Sequence, residues 1–338
     1  MHQGDAGNGE NNPHSLQSTL ARLQGRRFCT DDQPASQRLE WLREVVGKEY
    51  TNVEINPPKV HKLYNDLLLY PWGDGVRFSP MRSNPCSLER LRQEPSDIIH
   101  DCYFAVVLTS GRYKLQQGGR EIFLRPGEMS LYDATQPHRI DIPERFSKIL
   151  ISIPRKTLDQ RIPNIGNLTA TKIPTAGGVG AVTSTMIQSI LKHLHEIDQD
   201  HFFQMSDHVL DFLTLSLEQI SKRMANQTRH RALTLMRVKR FITEHIGDHQ
   251  LNAAAIASGT GLSVRYINNL FSDEETSVMR HVKQQRLEKC RRQIGSKQRR
   301  TMLISEIAMQ CGFINMAHFS RAFKQRYGMS PRECRSKS

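Results

Sequence analysis

Apolar and polar positions in the last third of the chain repeat with the period of an α-helix. In residues 301–331, one apolar set recurs at spacings of three and four residues: Leu303, Ile304, Ile307 and Ala308. This spacing predicts an amphipathic helix, and Gly312 ends it because glycine adopts a positive φ angle without steric penalty. Asn315 is a candidate N-cap for a second helix, which the run from Gly328 to Pro331 ends.

The second predicted helix has an apolar face and a basic face. Phe319, Ala322 and Phe323 face inward, and the outward positions are His318, Arg321, Lys324 and Arg326. A helix, a turn containing glycine and a second helix with a basic outer face are typical of the helix-turn-helix motif that reads the DNA major groove. Two such helices also occur in small bundles that bind no DNA, so geometry alone leaves both interpretations open.

A similar pattern lies about fifty residues upstream. The predicted helices of this region cover residues 233–246, 251–257, 264–272 and 278–294. Ser258 to Gly261 make the turn between the second and third of these helices, and Ser263 is the candidate N-cap of the third. The longest helix would connect this first motif to the second one.

The stretch 304–331 resembles the C-terminal half of the DNA-binding domain of AraC/XylS-family transcriptional regulators. The family pattern I-x-x-I-A-x-x-x-G-F, then H-F-S-R-x-F-K, then a glycine and S-P is matched from Ile304 to Pro331. The resemblance implies a DNA-binding domain over residues 231–338 with two helix-turn-helix motifs. Recognition helices held about 34 Å apart reach successive turns of the major groove, which predicts a non-palindromic site of about 20 bp per monomer.

The outward residues of the first recognition helix suit the edges of bases. Arginine pairs well with guanine and asparagine with adenine, and this helix offers Arg265, Asn268 and Asn269. The family's base-reading positions coincide with these three residues; in the second helix they coincide with Met316, Ala317 and Arg321. Because two of the latter are apolar, we expect the first motif to carry more of the discrimination. The alternative for each arginine is a phosphate contact or a solvated face.

Six further residues are expected to contact the DNA backbone: Lys283, Arg286, His318, Ser320, Lys324 and Arg326. Phosphate contacts of this kind set the register of the protein on DNA and make binding fall as salt rises.

One position departs from the family pattern. Glu275 stands where the family usually has a glycine after the first recognition helix. A glutamate in a left-handed C-cap costs about 1 kcal/mol. We therefore expect this turn to differ, which leaves the register of the following helix open.

Residues 76–153 follow another pattern, with short apolar segments separated by turns. Residues 103–108 form a continuous apolar run suited to a buried strand. The turn signals are Gly111, Gly118-Gly119, Pro126-Gly127 and Gln136-Pro137. Short strands at about ten-residue spacing predict a β-sandwich or barrel.

The residues from Gly111 through Asp133 and Pro137 to Arg155 resemble the effector-binding domain of the XylS/FeaR-like branch of the same family, including a cupin-like R-P-G-E turn. The resemblance implies a two-domain protein. Its N-terminal α+β domain (residues 36–224) has a cupin-like β-barrel plus helices, and its C-terminal domain is all-α. Residues 225–230 would form a polar linker. Residues 1–35, rich in Gly, Asn, Gln and Asp, are predicted to be disordered, with a short amphipathic segment near Leu16 to Leu23 as the alternative.

Two helical segments are predicted after the strands, at residues 182–197 and 203–224. The second is apolar over much of its circumference and must therefore be buried. It packs either against the barrel or against a second subunit, and family members pair their subunits in this region. The resemblance thus implies a homodimer, while the residues themselves leave both arrangements open.

The chain of 338 residues has a net charge of +13, and this excess is confined to its last third. Residues 229–338 contain 21 Lys and Arg against 8 Asp and Glu, whereas the preceding residues contain 26 of each kind. A neutral region joined to a strongly basic one predicts a polyanionic partner for the basic region only. No apolar run approaches the roughly 18 residues of a membrane span, and no secretory signal begins the chain. We expect a cytoplasmic, nucleoid-associated protein that does not bind membranes.

The N-terminal domain could in principle be a cupin metalloenzyme or a sensor of small molecules. A cupin metal site needs several histidines and a carboxylate, but the barrel stretch contains only His100 and His138, without an H-x-H pair. We therefore predict no metal, no cofactor and no enzymatic activity. A carboxylate ligand would need a cationic partner at the barrel mouth, and the candidate binding residues are Arg112, Arg120, Arg125, His138 and Arg139.

The two resemblances imply a ligand-responsive, sequence-specific DNA-binding regulator. Members of this branch often activate catabolic operons in response to small, often aromatic, molecules. The implied partners are promoter DNA, RNA polymerase and the effector. A repressor that needs no ligand is the alternative.

Overall fold

The computed structural model describes residues 13–57, 62–91 and 100–336. The chain divides into two compact units, Met1–Arg223 and Met224–Ser338. No helix in the described part of the chain is both long enough and apolar enough to cross a membrane.

The N-terminal unit is built on two antiparallel sheets. Its strands are β1 (Arg26–Cys29), β2 (Glu54–Asn56), β3 (Asn65–Pro71), β4 (Arg77–Ser83), β5 (Cys86–Arg90), β6 (Cys102–Ser110), β7 (Tyr113–Gln117), β8 (Arg120–Leu124), β9 (Met129–Asp133), β10 (His138–Ile142), β11 (Phe146–Pro154) and β12 (Thr171–Ile173). The seven-stranded sheet has the order β1-β3-β4-β11-β6-β9-β12, and the five-stranded sheet has the order β2-β5-β10-β7-β8.

The two sheets enclose one apolar core. Leu69, Phe104 and Leu150 of the larger sheet pack with Leu115 and Ile140 of the smaller one. Because side chains alternate along a strand, the other face of the larger sheet needs its own cover. Helix α4 (Gly178–His193) lies against β6. The first part of α5 (Gln199–Glu244) places Phe202 against Trp72 and Phe78. The predicted cupin-like barrel with helices is therefore confirmed.

The remaining helices of this unit are short. They are α1 (Pro13–Arg22), α2 (Arg38–Glu49), α3 (Arg155–Asp159) and the 3-10 turns Thr30–Asp32 and Ile165–Leu168.

The predicted disorder of residues 1–35 does not hold for residues 13–35. Helix α1 buries Leu20, and β1 pairs with β3 along its whole length. The Arg26 guanidinium also forms an ion pair of 2.7 Å with the buried carboxylate of Glu49. The polar composition misled the prediction because an edge strand of a larger sheet needs few apolar side chains of its own. Residues 1–12 lie outside the described part.

Residues 225–230 are helical. Helix α5 continues through them without a break, and all six are exposed. The boundary between the two compact units falls at residues 223–224, just before this predicted linker. The segment contains neither proline nor glycine, so nothing in it ends a helix.

The C-terminal unit is all-α. After the end of α5 it contains α6 (Ala253–Thr260), α7 (Val264–Ser272), α8 (Val278–Ile294), a 3-10 turn (Lys297–Arg299), α9 (Ile304–Gln310), α10 (Met316–Tyr327) and α11 (Pro331–Ser336). The start of α8 packs in one core through Val278 and Val282, and its end packs in a second core through Leu287 and Ile294. The predicted pair of helix-turn-helix motifs joined by a long helix is confirmed. Helix α11, which begins at Pro331, was not predicted.

Candidate DNA-reading surface and effector domain

The first helix-turn-helix consists of α6, a tight turn and α7. Gly261 ends α6 with a φ angle of +70°. The Ser263 hydroxyl accepts a hydrogen bond of 3.2 Å from the backbone N–H of Tyr266, so Ser263 caps α7 as its side chain predicts. Ile267, Leu270 and Phe271 of α7 are buried in the core. This burial fixes which side of α7 faces solvent.

The solvent face of α7 carries the three predicted base-reading residues. Arg265, Asn268 and Asn269 are all exposed. Within the described residues, no hydrogen bond or ion pair engages the side chain of Arg265 or Asn268. Both side chains are therefore available to a partner.

Asn269 is held in place by an arginine that the sequence did not single out. The Arg231 Nη1 donates 2.9 Å to the Asn269 side-chain oxygen, and its Nη2 donates 2.5 Å to the Asn269 backbone carbonyl. The Arg231 Nε also lies 2.7 Å from a carboxylate oxygen of Asp273. Arg231 thus fixes the orientation of the Asn269 amide. This contact joins residues 38 positions apart, and no local pattern announces it.

The second helix-turn-helix consists of α9, a turn and α10. Gly312 has a φ angle of +87° in the turn. The Asn315 side chain accepts a hydrogen bond of 2.9 Å from the His318 backbone N–H, which confirms the predicted N-cap. Phe319 and Phe323 are buried, whereas Arg321 points outward from the same helix.

The outer face of α10 combines exposed and partly buried positions. Ala317 and Arg321 are exposed, and Met316 is half-buried against the second core. The predicted backbone contacts His318, Ser320 and Lys324 are exposed. Arg326 is exposed too, and its Nε donates 3.3 Å to the Tyr327 hydroxyl. Lys283, on α8, is half-buried.

Arg286 is oriented differently from the other predicted phosphate contacts. Its Nε and Nη2 donate hydrogen bonds of 3.2 and 2.5 Å to the carbonyls of Ile246 and Asp248. Burial lowers the pKa of its guanidinium. A Cβ atom on Gly312 would lie 2.7 Å from Arg286 Nε, so the guanidinium packs directly on that glycine. Arg286 therefore joins the segment that follows α5 to α8 and to the turn before α10.

Glu275 adopts the conformation that its position demands. Its φ angle is +53°. The backbone N–H of Thr276 donates 3.3 Å to the Phe271 carbonyl, and that of Glu275 donates 3.0 Å to the Ser272 carbonyl. The turn that glycine usually makes is therefore retained with a glutamate, and the expectation that the turn would differ is not met.

The predicted ligand residues of the N-terminal unit do not form one cluster. Arg120, His138 and Arg139 border an open groove of about 460 Å³ beside the β7–β8 turn. Arg112 directly precedes β7 and Arg125 directly follows β8, so both lie at the end of this hairpin that is far from its turn. The register of the hairpin, in which Tyr113 opposes Leu124, separates the two sets by the length of the strands.

Most of these arginines are already paired within the protein. Arg112 forms a bidentate contact with Glu144 at 2.9 and 3.2 Å. Arg139 lies 3.1 Å from Asp141. Arg120 donates 2.7 Å to the Thr169 carbonyl, while Arg125 is exposed.

Asp133 and Arg155, two residues of the family-like pattern, form an ion pair. The Arg155 Nη2 lies 2.7 Å from the Asp133 carboxylate, and the Arg155 Nη1 donates 2.7 Å to the Tyr103 hydroxyl. Burial would raise the pKa of Asp133, but the hydrogen bonds from Arg155 and Thr135 outweigh it and leave that pKa below its ordinary value. The Asp133–Arg155 pair thus joins the ends of β9 and β11.

The two histidines of the barrel stretch each lie beside a backbone carbonyl. The His100 Nε2 lies 2.9 Å from the Lys48 carbonyl, whereas His138 is buried with its Nδ1 2.9 Å from the Gln136 carbonyl. In the described part of the chain, no three residues among His, Cys, Asp and Glu are placed to hold a metal ion.

The sequence analysis missed one buried cation, Lys148 on β11. The sequence contains the pattern that predicts this burial. Phe146, Lys148 and Leu150 occupy alternate positions of one strand, so their side chains lie on the same face of the sheet. That face is the one between the sheets, where Phe146 and Leu150 belong to the core.

Comparison with known proteins relates both units to one family. The profile of the AraC-binding-like domain matches residues 42–218, just over half of the chain, and that of a helix-turn-helix domain matches residues 256–337. The transcriptional activator NphR of Rhodococcus sp. is 27% identical over 300 residues, covering 87% of each chain. An uncharacterized protein in the nit 5′ region of Bacillus sp. (strain OxB-1) is 24% identical over 241 residues, covering 68% of this chain and 92% of that one.

The crystal structure of the AraC-like transcriptional activator CuxR superposes with a TM-score of 0.48 at 18% identity, covering 78% of this chain and 94% of that one. The domain match over half of the chain, followed by two helix-turn-helix motifs in a basic unit, shows that this protein belongs to the AraC family of DNA-binding transcriptional regulators.

Proposed function

We propose that this protein activates transcription when its N-terminal unit binds a small effector. The effector shifts the geometry of a homodimer, the C-terminal unit then occupies a promoter, and the bound protein contacts RNA polymerase. The name of NphR, a transcriptional activator aligned over 87% of this chain, supports the sign of the response.

One observation carries the DNA-binding part of the proposal. Each of two helix-turn-helix motifs has an exposed polar face on its second helix, with Arg265 on α7 and Arg321 on α10. These faces belong to the part of the chain that holds 21 basic residues against 8 acidic ones between residues 229 and 338. Basic charge attracts the phosphates. Within the described residues Arg265 has no partner, and Arg321 uses only its Nε, in a 3.4 Å hydrogen bond to the Ala317 carbonyl of its own helix, so both guanidinium groups have donors left for base edges.

We assign different roles to the two recognition helices. Arg265 reads a guanine, and Asn268 and Asn269 read adenines, in bidentate pairs. On α10, Arg321 supplies hydrogen bonds, while Ala317 and the half-buried Met316 offer apolar contacts suited to a thymine methyl group. The first motif therefore carries most of the discrimination.

The phosphate contacts come from the flanking polar side chains. They are Lys283, His318, Ser320, Lys324 and Arg326. We assign Arg286 to holding the fold, because its guanidinium is occupied by two backbone carbonyls.

Fluorescence-anisotropy titration of the intact protein tests this proposal. The probes are its own upstream DNA, the same DNA with single-base changes, and random DNA, each at several salt concentrations. Arg265→Ala is expected to cost about 1–3 kcal/mol at one base position and to leave other positions unchanged. The matched control is Arg240→Ala, which removes an exposed arginine of α5 that lies 3.9 Å from Glu244.

Three results would contradict parts of the proposal. No preference over random DNA would refute sequence-specific binding. Equal weakening on all sequences by Arg265→Ala would reassign Arg265 to phosphate. A reporter gene that rises when the protein is deleted would make it a repressor.

A further inference from the structure

The space between the two sheets contains a lysine that is almost completely buried. Lys148 is 6% exposed and lies on β11 between Phe146 and Leu150 on the inner face. Burying an ammonium group without a counter-charge is costly. A lysine at such a position therefore needs a physical explanation.

Lys148 has no anionic partner in the part of the chain that the structure describes. Among residues 13–57, 62–91 and 100–336, no carboxylate and no hydrogen-bond acceptor engages its ammonium group. Its Nζ instead lies 5.0 Å from the centroid of the Tyr113 ring and 5.8 Å from that of Phe146. Burial lowers its pKa to about 8, so most molecules carry the charge at neutral pH.

Other charged groups of this unit with comparable burial are all bonded. The Arg90 Nη1 donates 2.5 Å to the Thr51 hydroxyl and 2.9 Å to the Asn52 carbonyl. The Glu49 carboxylate is bonded to Arg26 at 2.7 Å. Lys148 thus differs from them in lacking a partner, not merely in being buried.

Two further polar groups of the same interior have hydrogen-bonding capacity to spare. The Tyr113 hydroxyl, on β7, is buried beside the Tyr132 hydroxyl, with which it interacts, and within the described residues it makes no hydrogen bond of normal geometry. His138, on β10, uses its Nδ1 for the Gln136 carbonyl and packs against the Tyr132 ring, with 5.0 Å between ring centroids. These groups come from the small sheet and face β11 of the large one.

The surrounding surface is aromatic. Phe104, Tyr132 and Phe146 belong to the same core as Tyr113, and the ring of Phe104 lies 5.3 Å from that of Tyr132. A single cation, a spare hydroxyl and several rings are suited to a ligand with one negative group on a flat apolar body.

We infer that Lys148 binds the carboxylate of the effector, that the Tyr113 hydroxyl donates a second hydrogen bond to it, and that the effector is a small aromatic monocarboxylate. This inference rests on the proposed effector-binding role of the N-terminal unit. Lys148 takes the place of the exposed arginines of the barrel as the group that binds the anion, because Arg112 and Arg139 already pair with carboxylates of the protein.

Isothermal titration calorimetry on the full chain tests the assignment. The probes are benzoate, phenylacetate and salicylate, each compared with its neutral amide. The wild-type protein is expected to prefer a carboxylate to its amide by at least about tenfold. Lys148→Met, which keeps the length and apolar stem of the side chain, is expected to abolish that preference and to weaken carboxylate binding by about 10- to 100-fold, the range for a charge-assisted hydrogen bond. Tyr113→Phe should weaken binding several-fold while the preference remains.

Lys172→Ala is the matched control, because it removes an exposed lysine of β12 that pairs with Glu128 at 2.7 Å, and it should leave binding unchanged. Arg139→Ala tests the rival cation of the open groove. The melting temperature of Lys148→Met without ligand is a second readout. It is expected to equal or exceed that of the wild-type protein, since a buried unpaired charge is lost.

Several results would overturn the inference. They are carboxylate binding that survives Lys148→Met, loss of binding in Arg139→Ala alone, a large drop in the melting temperature of Lys148→Met, or no binding of any carboxylate to the wild-type protein. Selective binding to promoter DNA, measured separately by anisotropy, would still support the regulator in each case.

Discussion

The backbone at Glu275 leads to a sharp stability prediction. Its φ angle is +53° and its side chain is exposed; in the described structure no hydrogen bond or ion pair holds its carboxylate. A residue with a Cβ atom pays about 1–2 kcal/mol in the left-handed region, whereas glycine adopts it freely. Glycine also gains unfolded-state entropy, which offsets about 0.4–1 kcal/mol. Glu275→Gly should therefore raise the unfolding free energy of the C-terminal unit by about 0.5–1 kcal/mol.

Differential scanning calorimetry of the full chain measures this change. For a unit of about 100 residues, each kcal/mol shifts the midpoint by about 4 °C, so we expect a rise of about 2–4 °C in the transition of the C-terminal unit. The transition of the N-terminal unit should not move.

Two variants separate backbone strain from charge. Glu275→Ala removes the carboxylate but keeps a Cβ atom, so the midpoint should stay near that of the wild-type protein. Gly261→Ala introduces a Cβ atom at a φ angle of +70° with no atom within 4 Å, so it should lower the midpoint through strain alone. If Gly261→Ala lowers the midpoint and Glu275→Gly leaves it unchanged, the argument from the φ angle of Glu275 is refuted.

Two further predictions concern contacts between distant residues. Arg231→Ala frees the Asn269 amide to rotate, so the affinity ratio between the preferred base and the others should fall about fivefold at one position, equivalent to about 1 kcal/mol. Competition binding with single-base variants of the DNA measures this ratio. A uniform loss of affinity on all sequences would contradict the prediction. Arg155→Met removes the partner that keeps the pKa of Asp133 low, so stability at neutral pH should fall by about 2 kcal/mol, less than for a fully buried pair. A carboxyl group whose pKa is lower in the folded than in the unfolded protein stabilises the fold at pH values above its unfolded-state pKa, and this stabilisation is lost as the pH falls through its folded-state pKa. Denaturant titrations from pH 7 downward should therefore show the unfolding free energies of the two proteins converging in acid. A difference that stays constant with pH would contradict this reasoning.

The local elements of the C-terminal unit could be predicted from the sequence. Ser263 and Asn315 cap their helices, and Gly261 and Gly312 have the positive φ angles of their turns. Each of these features depends on hydrogen bonds or steric contacts within about one helical turn. The exposed face of α7 followed in the same way from the spacing of Ile267 and its apolar neighbours.

One prediction failed for a clear reason. Polar composition suggested disorder for residues 13–35, yet this segment forms a helix and an edge strand; composition also gave no sign that helix α5 runs through the linker at residues 225–230. Composition reports how little apolar area a segment buries by itself. It does not report whether a neighbouring strand or a preceding helix extends order into that segment.

The partners of the charged side chains were decided only by the tertiary structure. The sequence determined that Arg231, Arg286 and Lys148 would be cations. It did not determine that Arg231 holds Asn269, that Arg286 binds two carbonyls, or that Lys148 is buried between two sheets. Helix caps and turns depend on residues a few positions apart, so a linear pattern records them. The environment of a long charged side chain depends on which distant strands and helices pack around it, and that information exists only once the chain has folded.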